Sequence, residues 1–342
     1  MSQITKVLIT GITGYIGGSV YSHLSKYSGF SSLEITVILR SADKADNLKK
    51  LGINAVVGAH DDVQVMESLA AEADVVIAIA DTNNIQAAKA TLAGLKKRYA
   101  VTGIPPAFIH TSGTAVIMDN AAGDRPSDTI YDDSNVAQIE SIPDTAPNRK
   151  VELTLVNADK EGYVRTYIVV PSTIYGTPTG VLVDQGLQNP FSLQVPGLIK
   201  ASANRGRAGM VGQGKNIWPN VHIDDVAQLY VDLLDSIRKN PSTGHGRDGY
   251  YYAENGEHTL YEVGKSIGEV LVEKGITDKV EPTSFTKEEV DKYYQGSTFM
   301  GTNARCRASH SRSIGWKPRF TKGDLLASIY AEYEALEKAG KI

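Results

Sequence analysis

At 342 residues, with 42% hydrophobic and 22% charged side chains, the chain can bury a full core and is too evenly mixed for a disordered or fibrous segment. A net charge of −4 leaves no footprint for nucleic acid, no run is apolar for long enough to suggest a membrane span, and a single cysteine excludes a disulfide within the chain. The start lacks a basic and apolar leader, so a cytoplasmic protein is expected.

Strands are predicted at Lys6–Thr10, Glu34–Leu39, Ala55–Val57, Val75–Ile79, Ala107–His110 and Thr166–Val170, most of them apolar throughout, as strands covered on both faces should be. Helical patterns fill the gaps at Tyr15–Ser25, Ala42–Leu51, Val63–Glu72, Ile85–Arg98 and Pro147–Glu161. This alternation predicts an α/β fold, a Rossmann-type doubly wound parallel sheet. After Pro171 the composition shifts to Gly, Pro and Asn, which divides the chain into a dinucleotide-binding domain over 1–176 and a smaller, mainly substrate-binding subdomain over 177–342 with segments returning to the sheet. Further helices are expected at Asp225–Ile237, Leu260–Lys274 and Lys322–Lys338.

The first strand turns directly into Gly11-Ile12-Thr13-Gly14-Tyr15-Ile16-Gly17. A glycine-rich turn opening a helix lets backbone N–H groups and the positive helix end meet a pyrophosphate; a tight turn that binds nothing is the competing reading, and the strand before, the helix after and the start at residue 6 favour binding. Arg40 ends the second strand where an NAD-selective site places an acid, and with Ser41 and Lys44 it suits the 2′-phosphate of NADP better than NAD. Asp61 is the candidate adenine contact, although Asp61 or Asp62 equally suits a helix N-cap. Ala80 is small enough for a cofactor to approach the backbone at the end of the fourth strand.

Five segments together resemble the extended short-chain dehydrogenase/reductase superfamily, of the NAD-dependent epimerase/dehydratase kind. They are the glycine turn, Phe108-Ile109-His110-Thr111-Ser112-Gly113-Thr114, Val169-Val170-Pro171-Ser172-Thr173-Ile174-Tyr175-Gly176, Val221-His222-Ile223-Asp224-Asp225-Val226-Ala227 and Gly315-Trp316-Lys317-Pro318. The resemblance implies cofactor contacts from Thr111, Pro171, Thr173 and Ile174, and substrate oxygen polarisation by Ser112 and Thr114. Members that move hydride carry a Tyr-x-x-x-Lys pair whose lysine lowers the tyrosine pKa. No such pair occurs here, and spacing puts Ala146 in the tyrosine position, four residues before Lys150. The chain therefore resembles an atypical branch without the tyrosine.

Lys150, or Arg149 beside it, is then the candidate ribose contact, and Tyr131 a substitute proton donor or a surface tyrosine. Tyr175, Trp218, Asn220 and His222 are candidate substrate contacts; core packing for Trp218 and a satisfied structural role for His222 are the competing readings. Seven histidines show no paired metal-ligand spacing. The expected function is NADP(H)-dependent oxidation or reduction of a small or medium carbonyl, imine or enone. A non-redox lyase, isomerase or cyclase, or an NADP(H)-sensing binding protein, is the alternative. The expected partner is a small molecule, with no nucleic acid and no membrane, and the chain is expected to be a monomer or weak homodimer.

Overall fold

The structure is a computed structural model describing residues 4–342. Strands β1 (Thr5–Thr10), β2 (Leu33–Leu39), β3 (Asn54–Val57), β4 (Val75–Ala78) and β5 (Ala107–Thr111) alternate with helices α1 (Tyr15–Leu24), α2 (Ala42–Lys50), α3 (Val63–Ala71) and α4 (Ile85–Thr102). With Arg165–Pro171 and Tyr250–Ala253 they form one seven-stranded parallel sheet. Across it the order runs Tyr250–Ala253, Arg165–Pro171, β5, β4, β1, β2, β3. The predicted α/β Rossmann-type sheet is therefore present, with a seventh strand supplied by the later half of the chain. Val75, Val76, Ile77, Phe108 and Ile109 are all buried, as double coverage by helices requires.

Local chemistry sets the helix starts. Ser41, Asp62 and Asn84 accept backbone N–H bonds at the starts of α2, α3 and α4, and left-handed Gly103 (φ +68°) stops α4. α1 differs: Gly14 precedes it, no side chain caps it, and its first turn has no acid. Its N–H groups are consequently left for a ligand.

A second apolar cluster lies beside the sheet core and joins helices Gln194–Arg205, Leu260–Glu273 and Lys322–Lys338 through Leu198, Ile267, Leu325 and Ile329. Gly176 joins the start of α1 to helix Lys322–Lys338. Its carbonyl accepts from the Tyr15 hydroxyl at 2.6 Å and its N–H donates to Glu332 at 2.9 Å. Gly176 has φ +96°, and a Cβ there would stand 2.2 Å from His222 Nε2, so only glycine fits. No helix among the described residues is long and apolar enough to cross a membrane.

Burial raises the Glu332 carboxyl from its ordinary 4.5 to about 7. Across that window the folded chain holds a proton that the unfolded chain has lost, so this group's contribution to stability falls as pH rises. Glu332→Gln removes the dependence. Denaturant unfolding should find the variant more stable than the native chain at about pH 8, by roughly 1–3 kcal/mol, and near parity at about pH 5. A variant that is less stable at both pH values contradicts the assignment.

Candidate active site

β1 ends at the point where the strand order reverses, with β2 on one side and β4 on the other. The Thr10 hydroxyl accepts the N–H groups of Ile79 (3.2 Å) and Ala80 (3.3 Å), locking the ends of β1 and β4 together. Gly11, at φ +79°, lies so close that a Cβ would stand 2.9 Å from Ala80 N. A cleft of about 690 Å³ opens above this junction. Gly11, Thr13, Gly14, Tyr15, Ile16, Arg40 and Ala80 line it, and Thr111, Ser112, Thr114, Pro171, Ile174 and Trp218 carry the lining toward the other end.

Several residues expected at the cofactor lie away from the cleft lining. Gly17 does not line the cleft; a Cβ there would stand 2.0 Å from Gly11 O, so it allows α1 to pack on the turn. Ser41 caps α2 and the Lys44 ammonium donates to Leu187 O at 3.2 Å, leaving Arg40 as the one member of that trio on the cleft wall. Asp61 lies outside the lining and Asp62 takes the N-cap role, while Gly58 and His60 face the cleft instead. Thr173 is buried beside a smaller void.

The helix expected from Pro147 begins at Arg149, because Asn148 adopts the left-handed conformation (φ +65°). Ala146 therefore precedes the helix and packs on the core, and Pro147 and Asn148 face the cleft. Lys150 is exposed and outside the lining. Arg149 turns inward to Glu152 (3.1 Å) and the Tyr250 hydroxyl (2.7 Å), so neither basic residue meets the cleft. Tyr131 sits in a two-residue strand paired with Cys306–Arg307 and is not brought to the site.

Of the four substrate candidates, Trp218 alone lines the cleft, its ring held edge-on to Phe299 and its N–H donating to Thr302 O. Tyr175 is fully buried and donates to Thr321 O at 2.8 Å. Asn220 is buried against Asn255 O at 3.2 Å. His222 accepts the Asp224 N–H as an N-cap, with its pKa lowered by burial. Tyr175 and Asn220 thus tie later segments of the chain to their strands, and His222 caps the helix that follows it.

Asn148, Ser172, Phe299 and the loop Phe191-Ser192-Leu193-Gln194 also line the cleft. Hydroxyls at Thr114 and Ser172 are buried there without a partner, which is costly unless a ligand supplies one. An uncapped helix start, a glycine cradle and unpaired hydroxyls at the far end fit a nicotinamide dinucleotide.

Those features define a dinucleotide-dependent enzyme of the Rossmann type. A model of the NmrA-like family matches residues 3–111. Over 92% of each chain the protein is 30% identical to a protein of an Acremonium species named as an oxidase, ucsJ, and it is 25% identical to an uncharacterised protein of Saccharomyces cerevisiae over 96% of this chain and 99% of that one. UDP-glucose 4-epimerase of Thermotoga maritima superposes with a TM-score of 0.65 at 16% identity (98% and 99% coverage). A dTDP-glucose 4,6-dehydratase of Bacillus anthracis, solved with NAD, gives 0.61 at 18% (98% of both chains). The chain belongs to one family with the Acremonium protein, and the solved epimerase and dehydratase structures show that it has their fold.

Lys150 lies outside the cleft, so Lys150→Ala should leave NADPH affinity, measured by calorimetry, within about twofold of the native value, the usual size of a surface charge effect. A tenfold loss would return the lysine to the ribose.

Proposed function

We propose that the protein is an NADP(H)-dependent oxidoreductase acting on an uncharged carbonyl, imine or enone. The observation that carries this reading is the polarity of the cleft. Arg40, near the β2 end, is the one Lys, Arg, Asp or Glu side chain in the lining among the described residues. It suits a 2′-phosphate by charge and by its forked donors. The opposite end offers hydroxyls at Ser112, Thr114 and Ser172, the Asn148 amide, and the apolar faces of Trp218, Phe191 and Phe299. An anionic substrate such as a sugar nucleotide would leave its phosphates without a cation there.

The bound cofactor supplies or accepts a hydride. Gly14, Tyr15 and Ile16 at the start of α1 would hold its pyrophosphate, and Pro171 and Ile174 would wall its nicotinamide end. Thr114, with its hydroxyl unpaired, orients a substrate oxygen. Exposed Leu193 and the residues beside it cover the far wall and limit access of water.

Turnover of neutral ketones, enones and cyclic imines with NADPH, set against carboxylated analogues of equal size, tests the substrate class. Preference for the anionic series would refute it. Arg40→Ala should cost NADPH roughly 10–100-fold in affinity, the worth of a charge-assisted contact, and leave NADH nearly unchanged. Equal losses by calorimetry would remove the selectivity claim.

A further inference from the structure

With tyrosine absent from the expected position, the proton that accompanies hydride transfer needs another source. Ser112 lines the cleft, and its hydroxyl lies 2.6 Å from Glu152 Oε1. Glu152 is completely buried on helix Arg149–Lys160. Its second oxygen accepts from Arg149 at 3.1 Å and from the Tyr250 hydroxyl at 3.3 Å. Arg149, itself 3% exposed, also donates to Ile139 O at 3.0 Å. A continuous hydrogen-bonded path thus leads from the cleft, through one hydroxyl, to a carboxyl backed by a cation. An ion pair serving only to anchor a helix has no need of that hydroxyl link.

Each part suits proton transfer. Burial pushes the Glu152 carboxyl above the usual range, opposed by its bonds to Ser112, Arg149 and Tyr250. Arg149 is placed to stabilise the carboxylate once the proton has gone. Tyr250 and Tyr252 face the same carboxyl from the edge strand, and burial raises both, so they stay neutral in the working range.

Resting on the oxidoreductase reading, we propose that Glu152, acting through Ser112, supplies and recovers the substrate proton in place of the missing tyrosine. In carbonyl reduction the substrate carbon takes a hydride from bound NADPH and its oxygen takes the Ser112 hydroxyl proton. Ser112 Oγ takes the Glu152 proton in turn. The C=O double bond becomes a C–H and an O–H bond, the cofactor leaves oxidised, and Glu152 is left as a carboxylate beside Arg149. Water reprotonates it through Ser112 when the cleft empties. Alcohol oxidation runs the same transfers in reverse.

Two readouts test the relay. Infrared titration of the cofactor-free protein over about pH 5–9 should show a protonated carboxyl band that disappears in Glu152→Gln and shifts in Ser112→Ala. A native spectrum identical to that of Glu152→Gln across the range overturns the proposal. In steady-state reduction, the native rate should fall as pH rises through the Glu152 titration. Ser112→Ala and Glu152→Gln should each lower turnover by ~10²-fold or more and flatten that limb, with the double variant no worse than the worse single variant. Multiplying losses on an unchanged pH limb overturn it. Ser112→Ala alters no charge and guards against misfolding of the variant that leaves Arg149 unpaired. If the native protein turns over no neutral substrate, the oxidoreductase reading fails, and the infrared titration still decides the state of Glu152.

Discussion

The junction of β1 with β4 is the constraint on which the site depends. Two backbone N–H groups, those of Ile79 and Ala80, end their strand beyond reach of the ladder and find the Thr10 hydroxyl instead. That bond holds the two strand ends close enough that only a glycine can follow Thr10. Because β2 leaves on the opposite side of β1, the sheet parts here into a crevice. Gly17 then lets α1 pack within contact distance of the Gly11 carbonyl, aiming uncapped N–H groups into the opening. The position of the cleft and the approach of α1 to it follow from that close packing.

The far end of the cleft is shaped by an unusual helix start. Left-handed Asn148 delays the helix until Arg149, and this turns the arginine into the interior and the following lysine out to solvent. An arginine and a carboxyl are buried as a result, at a desolvation cost that their mutual bonds and Tyr250 offset. In a protein that needs only a folded helix, apolar residues of similar volume would do as well. A buried carboxyl bonded to a cleft hydroxyl is the feature on which the proposed proton relay rests.

Six of the seven sheet strands and the glycine-rich turn were legible in the sequence because their signals are local. Runs such as Val75-Val76-Ile77 and the spacing of Gly11, Gly14 and Gly17 act within a few residues. Tyr131 misled because its placement is set by pairing with Cys306–Arg307, far along the chain. Tyr175 and Asn220 belong to matching segments, yet their side chains bind Thr321 and Asn255, partners that no spacing rule reveals, whereas His222 takes the local structural role offered as its competing reading and caps a helix at Asp224. Glu152 left one faint trace, its position three residues after Arg149, and nothing local tied it to Ser112. Contacts across long sequence separations account for the rest of what could not be read.

The most direct measurement is a crystal structure of the protein with NADPH and a neutral carbonyl inhibitor. The account predicts the 2′-phosphate at Arg40, the pyrophosphate on the start of α1, and the inhibitor oxygen on Ser112 and Thr114, with its carbon about 3–4 Å from the hydride-bearing carbon of the nicotinamide. A nicotinamide turned away from Ser112, or a cleft that stays empty at saturating NADPH, would contradict it.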